Sequence, residues 1–94
     1  MKLFREYLLD SCVNSEQTIY LPKCADIVDV NYLDNSLKLL ALVVPEELSG
    51  ALPELRTFKI CTTEENLYFD TIRYIGSFKS SLGIRLLIEI IKEN

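Results

Sequence analysis

The stretch Ile27-Val28-Asp29-Val30-Asn31-Tyr32-Leu33-Asp34-Asn35-Ser36-Leu37-Lys38-Leu39-Leu40-Ala41-Leu42-Val43-Val44-Pro45 decides the fold class of this chain. Its first seven residues alternate. Val28, Val30 and Tyr32 fall on one face of a strand, and Asp29 and Asn31 fall on the other. Asp34-Asn35-Ser36 then reads as a hairpin turn, because Asp and Asn tolerate left-handed backbone and form local Asx turns. Residues 37–44 are apolar except for Lys38, which is the pattern of a central strand covered on both faces. Pro45 ends that strand, since it has no backbone N–H to give to a ladder.

Working outward toward the N-terminus, residues 2–9 predict a first strand, 10–17 a polar turn, and 18–21 a short strand stopped by Pro22. In the other direction, Ser49-Gly50 and Pro53 make 46–55 a loop with room for one helical turn. Residues 56–63 return as a strand, with Phe58 and Ile60 inward and Lys59 outward. A second long loop, 64–72, carries Leu67, Tyr68 and Phe69. Residues 73–79 form a strand, 80–83 turn the chain, and 84–91 close it. In that last segment Ile84, Leu86, Ile88 and Ile90 share a face at period two. A helix also fits there, through Ile84, Leu87, Ile88 and Ile91, and the richness in β-branched residues favours the strand. The chain thus predicts an all-β fold: one domain over 1–94, a small sandwich or barrel of about six or seven antiparallel strands in sequential hairpins, with one short helix at most in 46–55.

Composition narrows the function classes. Ninety-four residues support one core, and a hydrophobic share of 49% excludes a disordered chain. The net charge is −4, and the ten Lys and Arg residues form no basic run. Binding of a nucleic-acid polymer, which needs clustered cations, is therefore not expected. Histidine is absent, which removes the commonest general base and the commonest metal ligand. The three cysteines, Cys12, Cys24 and Cys61, have no C-x-x-C spacing, so no zinc or other metal site is expected. An odd thiol count without a secretion signal points to a reducing compartment with free thiols. The charges in Met1-Lys2-Leu3-Phe4-Arg5-Glu6 break any signal-peptide core, and the apolar run at 39–44 is too short to span a bilayer.

The polar residues form no catalytic constellation. The close acidic pairs Asp26 and Asp29, Glu46 and Glu47, and Glu64 and Glu65 lack the converging oxygens and Gly of a cation loop. Ser77, Ser80 and Ser81 have no activating base, and Cys61 has no His partner. Glu65-Asn66-Leu67-Tyr68-Phe69 matches the start of a viral protease recognition site, but Asp70 stands where that protease requires Gln. The apolar residues of this loop are expected to tuck onto the core. The most suggestive segment is Arg73-Tyr74-Ile75-Gly76-Ser77-Phe78-Lys79. As a regular strand it directs Arg73, Ser77 and Lys79 one way, and Tyr74 and Phe78 the other, around Gly76. Gly within a strand marks a bulge or a close backbone approach. Arg73, Ser77 and Lys79 would serve a small anion site, with Tyr68, Phe69 or Tyr20 stacking on a base.

The segment Thr18-Ile19-Tyr20-Leu21-Pro22-Lys23-Cys24-Ala25-Asp26-Ile27-Val28-Asp29-Val30 is similar to the opening of a family of small phage and bacterial β-rich proteins: hydrophobic strand, Pro, small turn, Ile-x-x-Val. A Leu-rich strand ending in Pro follows in that family, as at 39–45. Tyr74-Ile75-Gly76-Ser77-Phe78 resembles its Tyr-Ile-Gly-Thr/Ser-Phe motif, and a last apolar strand follows a Gly, here Gly83. The chain differs where the family often carries Trp (Leu40 here), Gly-Thr-Gly (Cys61-Thr62-Thr63 here) and a His near Ile88 or Glu89. The resemblance implies a β fold and a phage-type origin, and no reaction.

The function expected from these readings is non-catalytic: a phage-type protein that sequesters a host molecule, such as an anionic nucleotide-derived signal or a host protein. The alternatives are a structural or assembly subunit and a protein–protein interaction module. No enzyme activity and no cofactor are expected. Because 39–44 and 86–91 are apolar on both faces, a homo-oligomer is expected, a dimer or higher, with Leu40, Leu42 and Val44 at its interface and a second chain covering the spare face or pairing a free edge.

Overall fold

The computed structural model describes residues 1–11, 16–69 and 71–92. Cys12, the centre of the polar turn at 10–17 and Asp70 lie outside the described residues. The elements are β1 (Leu3–Leu9), β2 (Gln17–Leu21), β3 (Asp26–Leu33), β4 (Ser36–Val43), α1 (Glu46–Ser49), β5 (Glu54–Cys61), β6 (Ile72–Ser80) and β7 (Gly83–Ile90). Seven strands and one helical turn are what the alternation and turn signals predict, and the last segment is a strand rather than a helix, ending at Ile90.

The strands form two antiparallel sheets, a three-stranded sheet in the order β1-β4-β3 and a four-stranded sheet in the order β2-β5-β7-β6. The expectation of sequential hairpins is corrected here. Among the described residues only β3–β4 and β6–β7 pair with their neighbours in sequence, whereas β1 pairs with β4, β2 with β5, and β5 with β7. The β3–β4 turn is built as its residues require. Asp34 and Asn35 take φ of 53° and 61°, the left-handed pair of a two-residue type I′ turn. The Tyr32 hydroxyl donates to Asn35 Oδ1 across it at 3.1 Å.

One core joins the inner faces of both sheets. Leu37, Leu39, Ala41 and Val43 of β4 meet Leu21, Phe58, Ile60 and Leu87 of the other sheet, with Ile27, Val30 and Phe78 completing it. Tyr32 and Phe78 meet with their rings tilted by 36° and their centroids 5.1 Å apart.

Two bulges modify the alternation. In β3 the register shifts between Ile27 and Asp29, so that Ile27 and Val30 both face the core. Val28, expected to share a face with Val30 and Tyr32, is instead exposed. In β6 the register shifts between Tyr74 and Gly76. The sequence anticipates both roles of this glycine: it sits in a bulge, and a Cβ placed on it would lie 2.8 Å from Val30 Cγ1.

The reading of 37–44 as a strand covered on both faces is corrected too. In the three-stranded sheet β4 is covered on its inner face, while Leu40, Leu42 and Val44 are half-buried with no described segment enclosing them. The strand enclosed on both sides is the end of β7, where Leu87, Ile88, Glu89 and Ile90 are all buried.

Candidate functional site

The outer face of the three-stranded sheet is set by its register. Phe4, Leu42 and Asp26 form one row across the strands, Glu6, Leu40 and Asp29 the next, and Leu8, Lys38 and Asn31 the third. Paired residues of an antiparallel ladder share a face, so these rows lie on the outer face, while at its β3 margin Asp26 reaches back to Arg73 and Asp29 to the Val30 amide. Phe4 is 64% exposed and Leu8 70% exposed, and the bulge adds Val28 to the exposed set. The apolar residues lie toward β1 and β4. The β3 side is acidic, through Asp26 and Asp29. Lys38 is the one cation of these three rows. Phe4 and Leu8 went unremarked in the sequence; the signal was the period-two set Phe4, Glu6, Leu8 in a segment otherwise read only as a strand.

The outer face of the four-stranded sheet is closed by the chain between β5 and β6. Leu67 and Phe69 pack on Cys61, Leu86, Ile88 and Ile90, while Tyr68 between them is 88% exposed. The expectation that this loop tucks onto the core therefore holds for two of its three apolar residues. Glu65 fastens it through an ion pair of 2.8 Å to Lys59, which stands on the sheet beneath. Burial, and then the neighbouring Glu65 carboxylate, raise the Cys61 thiol above its ordinary pKa, with Lys59 opposing. Tyr68, Phe69, Glu16, Thr71, Ile90 and Lys92 line a cleft of about 450 Å³ at the end of β7.

The bulge in β6 separates the residues proposed for an anion site. Arg73 pairs with Glu89 and faces inward. Ser77, opposite Leu86, and Lys79, opposite Ile84, face outward. One extra residue between them, Ile75, reverses the parity of the strand, so Arg73 does not join Ser77 and Lys79. Tyr74 and Phe78, expected on a common face, are divided as well: Tyr74 is exposed and Phe78 buried. Tyr20 is exposed on β2 opposite Leu55, on a different strand from Tyr68 and Phe69 and outside the residues lining their cleft.

Arg73 belongs instead to a charged cluster where the two sheets meet. Its Nη2 donates to the Ile27 carbonyl at 3.2 Å and lies 3.6 Å from Asp26 Oδ1. Beside it, Glu89 is 3% exposed and accepts from Arg56 Nε at 2.6 Å and Nη2 at 2.8 Å, while Arg56 Nη1 donates to the Ala25 carbonyl. A buried carboxylate needs this forked partner, because desolvation would otherwise cost several kcal/mol or more. The sequence signal was a lone Glu89 among Leu86, Leu87, Ile88 and Ile90, and it did not say which cation would answer it.

Three further acidic residues are engaged. Arg5 reaches Glu47 at 3.3 Å and Glu46 at 3.8 Å, and Asp29 Oδ1 accepts from the Val30 amide at 2.8 Å. Among the described residues no cluster of His, Cys, Asp and Glu is arranged to hold a metal ion, and no helix is long and apolar enough to cross a membrane. Cys24 and Cys61 are free thiols, the first exposed and the second buried. No protein-family model, curated protein or solved structure matches the chain.

Proposed function

We propose that this chain is a non-catalytic binding protein that sequesters a host protein, with the outer face of the three-stranded sheet as its working surface. The observation that carries this reading is the exposure of Phe4 and Leu8 beside Leu40 and Leu42, flanked by Asp26 and Asp29. Large apolar side chains gathered on one sheet face, with a charged border, are the ordinary signature of a protein contact. The acidic border selects a partner with apolar and basic side chains. A nucleotide-derived ligand has less support, because its proposed cations stand on opposite faces of β6. The phage-type resemblance supplies the setting, action on a host molecule in the bacterial cytoplasm, and a homo-oligomer is its simplest form.

The test is affinity capture from bacterial host cells, followed by calorimetry with the identified partner. Asp29→Lys and Leu40→Lys are expected to weaken binding by at least about tenfold, while the distant Lys79→Ala leaves it unchanged. Binding of a nucleotide from a calorimetric panel, lost in Lys79→Ala and kept in Leu40→Lys, would overturn the proposal.

A further inference from the structure

β1 is an open edge. It is the outermost strand of the three-stranded sheet, and no described strand pairs with its outer side. It is seven residues long, with no proline and no bulge. Soluble proteins ordinarily guard such edges with short strands, Pro, Lys or bulges. The inward charge of β1, Arg5, is already occupied by Glu46 and Glu47 at the end of the sheet. Of the remaining edges, β3 and β6 lie against each other where the sheets meet, with Gly76 close to Val30 and Arg73 bonded to the Ile27 carbonyl, and β2 has five residues and runs into Pro22.

We infer that β1 pairs antiparallel with β1 of a second copy, about a twofold axis at Glu6, joining two three-stranded sheets into one of six strands. The inference rests on the reading of the outer sheet face as the working surface, which this pairing extends.

The register follows from the side chains. A twofold axis perpendicular to the sheet keeps outer residues on the outer face. Centred on Glu6, it sets Phe4 opposite Leu8 of the partner subunit, and Leu3 opposite Leu9 of the partner subunit, each twice. Arg5 then stands opposite Tyr7 of the partner subunit. Apolar pairs directly across a ladder are the stabilising unit of a sheet. The competing registers lose them. Centring on Arg5 opposes two guanidinium groups and sets Phe4 against a carboxylate, and centring on Tyr7 sets Phe4 against Asp10 of the partner subunit. The chosen register has one unfavourable contact, Glu6 against Glu6 of the partner subunit.

Stacking the outer faces of two copies is the poorer solution. It would bring Glu6, Asp26 and Asp29 of one copy onto the same acidic side chains of the other, which like-charge repulsion opposes. Edge pairing keeps both β3 strands at the outer margins of the six-stranded sheet. It gathers Phe4, Leu8, Leu40 and Leu42 of both copies in the middle, as one apolar band with acidic borders. The expected interface of Leu40, Leu42 and Val44 thus becomes the platform beside the seam rather than the seam itself.

Sedimentation of the full chain over a concentration series reads the proposal directly. A reversible dimer is expected. Glu6→Gln should tighten it roughly two- to fivefold by removing the like-charge pair, and Leu8→Lys should weaken it by about tenfold or more. Both positions are outward-facing, and circular dichroism checks that the variants fold. In a Cys12→Ser, Cys24→Ser background, Glu6→Cys should form an interchain disulfide on mild oxidation, since opposed residues at a twofold bring Cα atoms within about 5.5 Å. Lys38→Cys, two residues from that row and one strand inward, should not. A monomer at all concentrations, or a dimer indifferent to both Glu6→Gln and Leu8→Lys, would overturn the pairing. A monomer that still binds its host partner through Leu40 and Asp29 would remove the pairing and leave the proposed function standing. A dimer without a partner would do the reverse.

Discussion

Gly76 ties the two sheets together by what it lacks. The bulge places Ile75 and Gly76 together opposite Leu87, and the backbone at Gly76 runs against Val30 of β3. A methyl group there would lie 2.8 Å from Val30 Cγ1, and a β-branched side chain has few rotamers with which to yield. Gly76→Ala is therefore expected to destabilise the protein by about 1–3 kcal/mol, the ordinary range for an overpacked core. Because the clash has a single named partner, Val30→Ala in the same chain should recover part of that loss, although Val30→Ala alone is destabilising. Urea titration of the two single variants and the double variant checks this. Strict additivity would show that the contact does not limit the site.

At the scale of elements, the connection between β5 and β6 acts as a strap over the outer face of the larger sheet. Its described residues form no hydrogen-bonded ladder of their own. Leu67, Phe69 and the Lys59–Glu65 pair hold it down. Such a segment opens locally at less cost than the sheet beneath it. Cys61 reports on that opening, because its thiol is buried under the strap and its pKa is raised by burial, and so little of it is thiolate near neutrality. With iodoacetamide at pH 8 and peptide mapping, exposed Cys24 is expected to react first and Cys61 slowly. Phe69→Ala should speed the reaction of Cys61 by about tenfold while leaving Cys24 unchanged. Equal rates at the two thiols in the unaltered protein would mean that the strap does not protect the sheet.

For the molecule as a whole, the proton equilibria of Cys61 and Tyr7 predict the alkaline limit of stability. Burial raises Cys61 above the ordinary thiol value of 9.0, and burial likewise raises Tyr7 above 10.0, against an opposing hydrogen bond from Arg5. In both cases the folded chain keeps a proton that the unfolded chain releases at lower pH. The stabilisation is complete below the ordinary values and is lost as pH rises through the folded ones. Arg56, held charged chiefly by its hydrogen bond to Glu89, stays paired across the same window. The urea midpoint should be level from about pH 7 to 9 and fall beyond it. Cys61→Ala should delay the onset of that fall. A midpoint unchanged up to pH 11 would contradict the assignment.

Sequence by itself determined the elements. Period-two alternation, the Asp34-Asn35 turn, the stops at Pro22 and Pro45 and the turn before Gly83 are all local, and each is complete within a few residues. The seven strands, the helical turn and the bulge at Gly76 were legible for that reason. Tertiary structure decided everything that depends on a partner distant in the chain. Whether β1 joins β2 or β4 is a question of global packing, and both arrangements satisfy the same alternation. A count of every second residue puts Arg73 with Ser77 and Lys79, but the bulge in β6 stands against Val30, and its one extra residue turns Ser77 and Lys79 to the opposite face. Glu89 announces a buried charge to anyone reading β7, yet its answer is Arg56, 33 residues earlier, brought alongside only when β5 and β7 pair. A period of two is set by the backbone of a single strand, whereas a functional face is set by which strands lie beside it and where their ladders slip.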